Sequence, residues 1–199
     1  FKITESSKSV SNHLKLIRAF PKALLDDVLV ISKYLESKKI KIHESSQCEV
    51  LIHHEHIVVP SRIYITKLRC IEFHNFSLTQ RQILWCILTR HHNGFVRQRA
   101  LERLIKTDLT SFMIPFIFQL LGEYVQEILE AIEPILDANN QGLFAAFMLQ
   151  NPKYDQTTQS RIVSYWNEYY RIKYPNFNDF IGYKILNKLK SFVLTYQHN

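Results

Sequence analysis

The chain has 199 residues, 46% of them hydrophobic, with only four glycines and a formal net charge of +7. That composition is too apolar for a disordered chain and long enough to bury a core without disulfides or metals. Glycine is too scarce for a phosphate cradle, and turn residues are too scarce for a sandwich or barrel, which leaves a mainly α protein.

The charge is segregated along the sequence. Residues 1–60 carry nine basic and seven acidic groups, 61–107 nine and two, 108–150 none and six, and 151–199 seven and three. Segregated charge makes local fields that orient a partner, unless neighbouring elements neutralise one another in the fold. Cys48, Cys70 and Cys86 form no CxxC pair and no even-numbered framework, so a reducing compartment, the cytoplasm, is expected. No apolar run reaches the roughly 20 residues of a membrane span, and the opening FKITESSKSV does not look like a signal peptide.

Taken in order, the periodicity predicts a single domain over 1–199. Residues 1–47 hold two helices, VSNHLKLIRAF and then PKALLDDVLVISKYLESKKI, with Pro21 in the first turn of the second. Leu24, Val28, Ile31 and Leu35 form one apolar face of that helix, and Lys38, Lys39 and Lys41 complement its C-terminal dipole. At Cys48 the period turns to alternation, Val50 and Ile52 then Ile57 and Val59, so 48–66 reads as a short β-hairpin or three-stranded piece turning at His54-Glu55. His53, His54 and His56 alternate faces there and cannot converge on one ion without help from His74, His91 or His92. No metal and no cofactor is expected.

The core is expected over 78–150, beginning with two pairs of amphipathic segments between Leu78 and Asp137. In the second segment Val96, Ala100, Leu101, Leu104 and Ile105 share one side, Arg99, Glu102, Arg103 and Lys106 the other, and Arg97 falls among the apolar residues. A guanidinium so placed must be bonded, to a carboxylate or to carbonyls. In the fourth, Val125, Ile128, Leu129, Ile132, Ile135 and Leu136 oppose an acidic strip of Glu123, Glu127, Glu130, Glu133 and Asp137. Arg90-His91-His92-Asn93 closes the first helix; its cations suit a last turn, and with Arg97 it is the corner where a catalytic site would be sought.

The run Asn93-Gly94-Phe95-Val96-Arg97 into Ala100-Leu101 resembles the second helix of HEAT-like α-helical repeats, and Ile114-Pro115-Phe116 through Gly122 resembles the proline-containing first helix of the next unit. The resemblance covers residues 78–137 and implies stacked antiparallel helix pairs with an inward Arg97. Val96 and Val125 are 29 residues apart, shorter than the family's period, and Gln126 stands where a second inward Arg belongs. Two repeats are also fewer than the three a solenoid needs, so an irregular helical domain stays open beside it.

Residues 157–199 form basic, aromatic C-terminal helices in which Tyr165, Trp166, Tyr169, Tyr170 and Tyr174 alternate with Arg161, Arg171 and Lys173. Pro175 divides them, and Asn176 or Asn178 is an N-cap for the last. Such interleaving can serve base stacking, but the packing of ring bodies with their polar rims in water is the expected reading.

No sequence motif names a reaction, and the expectation is a non-enzymatic helical scaffold that binds a protein partner. The alternative is a nucleic-acid-binding protein using the basic stretch 81–106 and the C-terminal segment. Arg90, His91, Arg99, Arg103, Lys106, Glu123, Glu127 and Glu130 are the candidate binding residues. The acidic strip needs a cationic neighbour, either the protein's own 81–106 or a separate partner.

Overall fold

The computed structural model describes residues 16–44, 46–65 and 68–198. The chain divides into two compact units, Phe1–Ala100 and Leu101–Asn199. The described residues hold eight α-helices and two small antiparallel β-pairs, a mainly helical fold. Most of the helix expected at VSNHLKLIRAF lies outside the described residues.

In the N-terminal unit a 3-10 turn, Lys22–Leu24, leads into helix α1, Leu25–Ser37. Val28, Ile31 and Leu35 are buried along the face their spacing predicts. The helix ends with Lys39 in the left-handed region (φ 53°) while the Ile40 amide returns to the Leu35 carbonyl at 2.9 Å. Lys38 reaches Glu72 at 3.0 Å.

Four strands follow: β1 Ile42–Glu44, β2 Gln47–Ile52, β3 Glu55–Pro60 and β4 Ile63–Ile65. β2 pairs with β3 and β1 with β4, both antiparallel and in one shared register from Ile42↔Ile65 to Ile52↔Glu55. The ribbon corrects the sequence reading in two ways. It starts at Ile42, inside the stretch expected to be helical, and it turns at His53-His54 rather than His54-Glu55. Both of those histidines have positive φ, 47° and 67°, the conformation that a two-residue hairpin turn demands and that Asn-Gly usually supplies. Glu55 is instead the first residue of β3, where its carboxylate accepts from the Lys22 amide at 2.9 Å.

Helix α2, Leu78–Leu88, opens on a capping box: Ser77 Oγ accepts from the Gln80 amide while the Gln80 side chain accepts from the Ser77 amide. It packs on α1. It also stops before the residues expected to close it. Arg90 to His92 run alongside β4, with the Ile63 amide donating to the Arg90 carbonyl and the His92 amide to the Ile63 carbonyl, both at 2.8 Å. Helix α3, Gly94–Leu104, begins just after.

The C-terminal unit is built around helix α4, Ile114–Leu121, in which every residue is buried. A helix apolar on all sides belongs at the centre of a bundle, and Pro115 is tolerated because it stands in the first turn. Around it pack α5 (Gln126–Ile132), α6 (Gln141–Gln150) and α7 (Pro152–Tyr165), and α8 (Ile181–His198) lies along α6. The α4–α5 pair is the expected one. At Tyr165 the helix widens into a π-helical turn, Trp166–Tyr170. Asn176 caps the short turn Phe177–Asp179 by accepting from the Asn178 amide. No helix among the described residues is long and apolar enough to cross a membrane.

Candidate interaction surfaces

The candidate residues fall into two groups. Arg90 and His91 are not surface residues: Arg90 is 1% exposed, His91 is buried, and Arg90 Nη2 donates to the Ser61 carbonyl at 3.1 Å. Arg97 is buried as its position among apolar residues predicts, and its Nη1 donates to the carbonyls of His91 and His92, each at 2.9 Å. The corner singled out for catalysis is thus a bonded turn, in which one guanidinium holds the His91 and His92 carbonyls, the first on the peptide whose amide pairs with β4.

His91 Nδ1 accepts from the Asn93 amide at 3.0 Å. Burial first, then the charges of His92 and Arg97, lower the His91 pKa to about 4. It is therefore a neutral acceptor at pH 7. Cys86 is buried in α2, and burial raises its thiol pKa well above the usual value, the behaviour of a small hydrophobe.

Arg99, Arg103 and Lys106 are exposed at i, i+4 and i+7 along one face of α3 and just beyond it, and none makes an ion pair among the described residues. The acidic strip is broken. Glu123 is buried before α5 begins, while Glu127 and Glu130 remain exposed. Glu133 finds its cation on α8, where Lys188 Nζ lies 2.7 Å from its carboxylate and 3.1 Å from its carbonyl oxygen. That neutralising partner is neither of the two the sequence suggested.

Two further surfaces come from contacts between residues distant in sequence, the first absent from the sequence reading and the second signalled there only by its aromatic content. In the N-terminal unit, Tyr64 of β4 is 48% exposed and stacks on exposed His92, ring centroids 4.9 Å apart at 17°; Phe95, three residues on, is 78% exposed. In the C-terminal unit, Tyr124, Tyr165 and Tyr169 form a triangle of rings with centroids 5.5 to 6.1 Å apart. Tyr169 is 58% exposed, and Ile172, just past the π-turn, is 99% exposed. The triangle is held from beneath. The Tyr170 hydroxyl donates to the Tyr124 carbonyl and accepts from the Gln126 amide, and its ring stacks on Phe180 at 5.0 Å.

An open groove of about 490 Å³ lies in the same unit, lined among others by Ser160, Val163, Phe177, Tyr183, Leu186 and Lys190. Among the described residues no group of three or more His, Cys, Asp or Glu is placed to hold a metal ion. Comparison with protein-family models, curated proteins and solved structures finds no match to this chain.

Proposed function

We propose that the chain is a non-enzymatic helical interaction module whose C-terminal unit binds a protein partner through the Tyr124–Tyr165–Tyr169 triangle and Ile172. The observation that carries this reading is the fixed presentation of exposed aromatic and aliphatic side chains. Tyrosine offers large, rigid contact area at low entropic cost and is enriched at interface cores. An isoleucine left 99% exposed beside such a group gains most from being covered. The π-turn supports the same reading, since such widenings recur at functional positions. Glu127 and Glu130, exposed on α5, supply a polar, charged rim.

Kinship with HEAT-like repeats is part of the proposal. Arg97 bonded inward and the proline-led helix α4 paired with α5 support it. Three free cysteines support a reducing, cytoplasmic setting.

The test is affinity capture from the protein's own cells with mass spectrometry, run beside a Tyr169→Ser/Ile172→Ser variant. A partner retained at high salt by the native chain and lost from the variant is the expected result. Identical captures from both would contradict it.

A further inference from the structure

We infer that the N-terminal unit carries a second, separate surface, a stacking site for single-stranded nucleic acid centred on Tyr64, His92 and Phe95. Three observations lead there. The first is charge: residues 1–100 hold sixteen basic and eight acidic groups, whereas 101–199 hold nine and ten, so the chain's whole excess of positive charge lies in this unit.

The second is register. Successive strand residues alternate faces, so the buried Ile42 and Ile63 put His43 and Tyr64 on the outer side of the ribbon, where they are directly opposite one another. Lys41 stands two residues before His43 and Arg62 two residues before Tyr64. Each aromatic group of the cross-strand pair is therefore preceded, two residues earlier and just before its strand, by a basic residue, Lys41 exposed and Arg62 half-buried.

The third is the continuation of this row beyond the ribbon. The His92 amide bonded to the Ile63 carbonyl fixes the imidazole over the Tyr64 ring. The Asn93 side chain accepts from the Phe95 amide at 2.9 Å and so sets the start of α3, where Phe95 projects into solvent. Arg99 is exposed one turn further along.

Flat rings exposed beside cations are the combination that binds single strands, in which each base offers a π-face and each nucleotide a phosphate. A duplex keeps its bases stacked on one another and offers these rings nothing. A protein partner would be served by the rings, but it gives no reason for the excess of basic groups that accompanies them in this unit. Neither Arg90 nor Arg97 takes part, because both are buried. The site therefore shares Arg99 with the basic stretch 81–106 but is centred on rings that the sequence alone does not single out.

The experiment is fluorescence anisotropy of the full chain with labelled oligo(U), oligo(dT) and a duplex of the same length, about 20 nucleotides, titrated at several salt concentrations. Expected is binding to single strands, weaker for the duplex, falling linearly in log affinity with log salt. Tyr64→Ala/Phe95→Ala should weaken it roughly tenfold or more, and Arg99→Glu should reduce the salt slope by about one. Unchanged circular dichroism will show that these exposed substitutions leave the fold intact. The comparison of oligo(U) with oligo(dT) separates RNA from DNA as the source.

No binding to either single strand at about 50 mM salt would overturn the inference. So would equal affinity for the duplex and for heparin with no effect of Tyr64→Ala/Phe95→Ala. Loss of a captured protein, with oligonucleotide binding unchanged in the same variant, would reassign the surface to a protein.

Discussion

The two units reach stability by different means. The C-terminal unit surrounds a helix with no exposed residue, and its fully buried side chains include Phe116, Phe118 and Phe144. The N-terminal unit buries ionisable groups, Arg90, His91 and Arg97, and uses them to fasten a turn to the β-ribbon. Apolar burial is non-directional and tolerates pH, whereas buried charge and imidazole must keep their hydrogen bonds and protonation state. Both units bury an apolar core and the C-terminal one also buries Glu123, but among the described residues the buried basic groups are confined to the N-terminal unit. Each unit also contains one of the two tryptophans, Trp85 and Trp166, so replacing either by Phe leaves a fluorescence reporter for the other.

The comparison breaks most sharply at Phe116→Ala, which opens a cavity at the centre of the C-terminal unit and should cost about 3–5 kcal/mol. Urea unfolding followed through Trp166 will show it; a loss below 1 kcal/mol would mean that α4 is not central. Arg97→Ala should cost about 2–4 kcal/mol by leaving the buried His91 carbonyl and the part-buried His92 carbonyl without their charged donor. The loss should be seen through Trp85, and an unchanged midpoint would show that the turn holds without the guanidinium.

Acid sharpens the same contrast. The folded pKa of His91, about 4, lies below the ordinary histidine value, so the fold favours the neutral ring. Its contribution is complete above about pH 6.5 and is lost as pH falls toward 4. Protonation also ends the acceptor role of Nδ1 toward the Asn93 amide. Between pH 7 and 4.5 the native chain should lose on the order of 2 kcal/mol more than His91→Asn, again through Trp85. Parallel pH profiles for the two would remove His91 as the cause.

The smallest effect belongs to the C-terminal surface. Tyr170→Phe removes a hydroxyl shared by the Tyr124 carbonyl and the Gln126 amide and should cost about 1 kcal/mol. It should also loosen the tyrosine triangle and weaken partner capture while leaving oligonucleotide binding alone.

The helical character, the buried face of α1 and the inward Arg97 were legible because they follow from a 3.6-residue period, which is local. The hairpin was legible by alternation, but its turn was misplaced by one residue because His-His is not the pair that usually adopts two positive φ angles. β1 was hidden because three residues, Ile42–Glu44, are too few to show an alternation. Arg90 and His91 read as a helix end because their pairing with Ile63 joins residues 27 and 28 positions apart, beyond the reach of any periodicity. The Tyr64–His92 stack, the Glu133–Lys188 pair and the tyrosine triangle are long-range for the same reason. Aromatic content announced the third of these without saying which rings meet.

We propose that two surfaces, one on each unit, serve two kinds of partner. This claim is tested most directly by measuring single-strand affinity in two double variants side by side, Tyr64→Ala/Phe95→Ala and Tyr169→Ser/Ile172→Ser. The claim predicts that the first loses roughly tenfold or more and that the second binds oligo(U) as the native chain does. Equal loss in both, or loss only in the second, would contradict it.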